Sequence, residues 1–192
     1  MKTTLRTLGA LAALTAATSA SAHTGHGTET LFSGLAHPFG LDHLLAMVAV
    51  GVWSAAALPI GQRITGPATF MAALLAGALA GAAGLVLPGT EALIALSVVV
   101  FGAMLAFVQR IPARGGLVLV GLAALMHGLA HGAELPAGGG FVGYALGFLA
   151  TTALLHSAGL GLGHAMLRLQ SVAWRLLGAG VGVTGLVLLT RV

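Results

Sequence analysis

Long apolar runs alternate with short segments of Pro, Gly and Arg, and the alternation repeats six times along the chain. The runs fall at roughly 41–58, 68–87, 92–108, 115–133, 141–163 and 172–190. Each has a length that suits a membrane-crossing helix, about 17–25 residues. A shorter run from about Leu8 to Ala17 follows Lys2 and Arg6 and precedes Ser19-Ala-Ser-Ala22. That is the charged, apolar and small-residue order of a signal peptide, so residues 1–22 are expected to be removed. The mature chain would then start with a His-containing tail over 23–36, outside the cytoplasmic membrane, and continue as a six-helix transmembrane domain over 37–192. The expected fold class is an all-α integral membrane protein with six transmembrane helices after a cleaved N-terminal signal peptide.

Composition agrees with the pattern. With 58% hydrophobic and 6% charged residues and a mean hydropathy of +1.04, the chain is too apolar for a soluble domain of this size, and its surroundings are the lipid bilayer. Removing Lys2 and Arg6 lowers the formal charge from +4 to +2, so the high isoelectric point is no sign of nucleic-acid binding. Of the six remaining arginines, Arg63, Arg110, Arg114, Arg168 and Arg175 fall on one side of the expected topology and Arg191 on the other. The positive-inside rule then puts the five in the cytoplasm and both mature termini in the periplasm, across the inner membrane. The 30 glycines include Gly77-Ala-Leu-Ala-Gly81 and Gly178-Ala-Gly-Val-Gly182. These small-residue faces let helices approach closely, and they would also suit a homo-oligomer.

The candidate chemistry is carried by histidines. The segment His37-Pro-Phe-Gly-Leu-Asp-His43-Leu-Leu-Ala-Met47 opens the first span, and Met126-His-Gly-Leu-Ala-His-Gly-Ala-Glu134 closes the fourth. Ionisable groups at membrane depth are costly, which marks His37, Asp42, His43, His127, His131 and Glu134 as metal ligands. Pro38 suits the first turn of a helix, and His43 then lies about 9 Å below His37. His127, His131 and Glu134 fall on one narrow stripe, and the topology brings both clusters to the outer third of the membrane. Met47, His156 and His164 continue inward as candidate relay positions, and His23 and His26 in the tail as candidate capture positions. His156 and His164 have an ordinary alternative as hydrogen-bonded helix residues. With no cysteine, thiolate and Fe–S sites are excluded, and nitrogen and oxygen ligands lean away from Cu(I). A divalent transition-metal ion is the expected partner.

The first segment resembles the H-P-x-x-G-x-D-H-x-x-x-M signature of the HupE/UreJ family of hydrogenase and urease accessory membrane proteins. His37, Pro38, Gly40, Asp42, His43 and Met47 supply its fixed residues in order, with the single residue Phe39 between Pro38 and Gly40 where the signature has two. The second resembles the family's F-H-G-x-A-H-G-x-E motif through His127, Gly128, Ala130, His131, Gly132 and Glu134, with Met126 in place of Phe. The resemblance implies secondary or facilitated uptake of Ni²⁺ or Co²⁺ that supplies metalloenzyme or cobalamin maturation. The ion is then transported substrate, and no permanently bound cofactor is expected. The competing reading is an intramembrane metal- or haem-binding protein, metalloenzyme or redox, without transport. H-E-x-x-H is absent because Gly128 follows His127, so an enzyme is not expected. Asp42 is expected either to bind the ion or to orient a ligating imidazole.

Overall fold

The structure, a computed structural model, describes residues 31–133 and 141–192. Seven α-helices are present among them: α1 (Leu31–Ala36), α2 (Leu41–Ala57), α3 (Thr65–Ala82), α4 (Thr90–Ala106), α5 (Ala113–Ala133), α6 (Phe141–Met166) and α7 (Ser171–Leu189). Single 3-10 turns, His37–Phe39 and Ile60–Gln62, precede α2 and α3, and the described residues contain no strand. Every apolar run expected to be a span contains a helix here, although the one expected over 68–87 ends at Ala82. Four are long and apolar enough to cross a membrane: Ile60–Ala82, Ala113–Ala133, Val142–Met166 and Ser171–Leu189. The apolar helix α4 is shorter, and Leu31–Phe39 with Leu41–Ala57 forms a pair bent by 75°. The expected signal peptide, His23, His26 and Glu134 lie outside the described residues. Part of the stretch expected as a tail, Leu31–Ala36, is helical and leans on α6: a Cβ on Gly34 would come 2.1 Å from the Tyr144 carbonyl oxygen.

Helix pairs α3 with α5, α4 with α7, and α2 with α6 make the closest approaches. Their spacing is set by missing side chains. A Cβ on Gly77 would stand 2.2 Å from the Leu125 carbonyl oxygen and one on Gly128 2.0 Å from that of Leu74, so α3 and α5 touch backbone to backbone. Gly178 meets Gly102 and Ala106 on α4 in the same way. The glycine faces noted in the sequence therefore close against neighbours of the same chain. Between the pairs lies a core of Met47, Val50, Trp53, Phe70, Val98, Phe101, Met104 and Val120, none more than 1% exposed.

The chain reversals bring the arginines together. Arg63 Nη1 donates to His164 Nδ1 at 3.1 Å, joining the α2–α3 connection to the C-terminal end of α6. A cavity of about 400 Å³ is lined by Arg110, Leu167, Trp174 and Arg175, from the α4–α5 and α6–α7 connections and the start of α7. His37, His43 and His131 occupy the other end of the bundle.

Candidate metal centre

Gly40 interrupts the chain between the 3-10 turn and α2. Its φ of −51° and ψ of 139° are extended, its amide donates to the His37 carbonyl, and it serves as the N-cap of α2. Pro38 in the turn before it lacks an N–H at a position where none is needed. This break produces the bend and lets His37, from above, and His43, from the first turn of α2, approach each other. The ring centroids are 5.2 Å apart, edge to face. A Cβ at position 40 would lie 3.1 Å from Asp42 Oδ1 and 3.7 Å from His43 Nδ1, so glycine leaves room for the contact between those two side chains.

That contact fixes the ring. His43 Nδ1 and the His43 backbone N–H both donate to Asp42 Oδ1 at 2.8 Å. With Nδ1 carrying the proton, Nε2 presents its lone pair inward, 2.7 Å from His131 Nε2. Without an ion, one of these two nitrogens donates to the other. Two nitrogens at right angles around one first-row metal, each bonded at about 2.1 Å, stand about 3.0 Å apart. The pair is thus already close to the spacing of neighbouring ligands. One nitrogen from each of His37, His43 and His131 lies within 4.8 Å of the others. His43 and His131 are 4% and 7% exposed, while His37 is half-buried. Phe148 closes one side, with its ring 4.9 Å from His131 and 5.7 Å from His37.

The other residues singled out in the sequence are arranged around this triad. Asp42 stands behind His43, as the carboxylate in a carboxylate–histidine–metal arrangement. His127, one turn before His131, has its ring 4.8 Å from that of His43; its Nε2 is bonded to Ser97 Oγ at 3.0 Å. Met47, one turn below His43, is fully buried in the apolar core. His156 lies deep on α6, 1% exposed. His164 is exposed and accepts from Arg63, well apart from the triad. Sequence reasoning missed Ser97, Phe70 and Phe148. Ser97 carried a signal, because it is the single hydroxyl residue in the apolar run 92–108.

Comparison with known proteins places the chain in a family. The sequence profile of the HupE / UreJ protein family matches residues 11–188. The chain is 40% identical over 171 residues to Protein HupE of Rhizobium leguminosarum bv. viciae, covering 87% of this chain and 88% of that one. No solved structure matches it. By the reach of the family match and the identity to a full-length relative, this apolar helical chain belongs to the HupE / UreJ protein family.

Proposed function

We propose that the protein is an inner-membrane permease that takes up Ni²⁺ or Co²⁺ by secondary or facilitated transport, for metalloenzyme or cobalamin maturation. In this reading six spans follow a cleaved signal peptide, with α1 and α2 together forming the first. The mature termini are periplasmic, and the chain is not an enzyme. The observation that carries it is the triad His37, His43 and His131, backed by Asp42 inside an apolar bundle. Imidazole and carboxylate suit a borderline divalent ion. The 2.7 Å between His43 Nε2 and His131 Nε2 leaves no room for a haem macrocycle between them, which disfavours the haem alternative. The cation sheds part of its water onto the imidazoles, and the Asp42 carboxylate offsets the cost of a double charge below the headgroups. Glu134 is assigned a similar part, and His23 and His26 the gathering of metal outside. An inside-negative potential draws the ion inward by about 2.3 kcal/mol per charge per 100 mV.

The test is uptake into proteoliposomes, with Ni²⁺, Co²⁺ and Zn²⁺ compared, with and without a pH gradient. Saturable accumulation of Ni²⁺ or Co²⁺ above protein-free vesicles is expected. No accumulation of either under any gradient, by protein that binds the ion, would leave a metal-binding protein without transport.

A further inference from the structure

Beyond the triad, two buried imidazole nitrogens have no hydrogen-bond partner among the described residues, His127 Nδ1 and His156 Nε2. In each ring the other nitrogen is tied down in a way that fixes the tautomer. Ser97 Oγ donates its proton to the Ile94 carbonyl at 2.7 Å, so it offers only a lone pair to His127 Nε2, 3.0 Å away. With the Ser97 proton on that carbonyl, Nε2 carries the hydrogen and His127 Nδ1 is left bare. In His156 the roles are reversed. Nδ1 lies 2.8 Å from the Thr152 carbonyl oxygen, which can only accept, so Nδ1 donates and Nε2 is the bare nitrogen. Thr152 Oγ1, on the preceding turn, is also buried and unpartnered. Phe70, 0% exposed, touches both rings, with centroids 5.9 Å from His127 and 4.9 Å from His156.

Buried polar atoms are normally satisfied, and a bare lone pair in an apolar interior calls for something that binds it. Here the two rings that carry such nitrogens, on different helices, pack against the same aromatic ring on the inner side of the triad. We infer that the cargo cation occupies a second, deeper station, with His127 Nδ1 and His156 Nε2 as donors and Ser97 as the residue that positions His127. This rests on the reading of the protein as a divalent-cation carrier. No described carboxylate contacts these two rings, so the station holds a double charge more weakly than the Asp42-backed triad. Descending affinity is what release toward the cytoplasm requires. Two dications in one bundle repel strongly at low dielectric, so the stations fill in turn.

Alternate filling decides the experiment. The purified full chain in lipid nanodiscs, carrying His43→Ala and His131→Ala to disable the triad and His23→Ala and His26→Ala to remove the imidazoles of the tail, is titrated with Co²⁺, whose visible spectrum reports nitrogen ligation. One weak class of Co²⁺ site is expected to remain, and adding His156→Gln removes it. Adding Ser97→Ala weakens it by about 10- to 100-fold, and Ser97→Thr, which keeps the hydroxyl, restores it. With the triad intact, His156→Gln must still bind Co²⁺, which shows that the substitution leaves the bundle folded. No Co²⁺ in the triad-disabled protein, or residual binding unchanged by His156→Gln, overturns the station. A Ser97→Ala loss that Ser97→Thr does not restore overturns the positioning role. None of these results depends on uptake, so the station fails without the permease reading if triad-intact protein still accumulates the ion.

Discussion

At one end of the bundle the polar groups are imidazoles packed around a broken helix; at the other they are guanidinium groups carried on short connections and helix starts. The histidine end is largely buried, and two of its rings are oriented by a named neighbour: Asp42 for His43, Ser97 for His127. The arginine end is open to solvent, and the single imidazole there, His164, pairs with Arg63 at the surface. The same residue type is thus ligand-like in one place and an ordinary surface group in the other. What separates them is a carboxylate or hydroxyl aimed at one ring nitrogen while the other faces inward, together with exclusion of water.

This contrast can be broken most directly at the triad. His43→Ala removes a ligand, so the initial rate of Ni²⁺ or Co²⁺ uptake into proteoliposomes should fall by more than about 100-fold; Asp42→Asn, which keeps the shape but not the charge, should cost about 10- to 100-fold. Wild-type rates in either would dissolve the distinction between the two ends. Next in size is a packing effect. Gly128→Ala places a methyl 2.0 Å from the Leu74 carbonyl, and overpacking of that kind costs about 1–3 kcal/mol. A lower thermal midpoint of the purified protein is expected, and an unchanged midpoint would mean that α3 and α5 can move apart freely.

At the arginine end the effect should be small. Arg63→Ala or His164→Ala should leave uptake within about twofold, since exposed polar pairs contribute little. A severe loss would place His164 on the ion path and erase the contrast. Smallest of all is the tail. Deleting His23 through Gly27 should slow uptake only when external metal is scarce, because a tethered ligand acts through effective concentration, which ceases to matter once the mouth is saturated. A lower maximal rate would move these histidines into the path.

Much of this was legible in the sequence. Each apolar run holds a helix, because an uninterrupted apolar stretch of that length reports an apolar setting directly. The pairing of the two histidine segments followed from antiparallel topology and a rise of 1.5 Å per residue. The bend at Gly40 was hidden, because an apolar stretch reads the same whether straight or broken. Ser97, Phe70 and Phe148 were missed as neighbours because they reach the rings from α4, α3 and α6, and that contact depends on how glycine-lined helices nest across the bundle. Asp42 was expected either to bind or to orient; which of the two requires the side-chain geometry, where it lies 2.8 Å from His43 Nδ1.

That one oxygen has a double attachment. Asp42 Oδ1 accepts both from the His43 amide in the first turn of α2 and from the ring that faces the triad. The first turn of the helix and the alignment of the ring are therefore tied through one oxygen. Fraying of the first turn of α2 would turn His43 out of register at once. Conversely, an ion held by Nε2 draws the ring, its carboxylate and the start of the helix into one rigid unit. Cargo arriving at the triad should stiffen the broken span itself, making amide-exchange protection at residues 41–44 a direct gauge of occupancy.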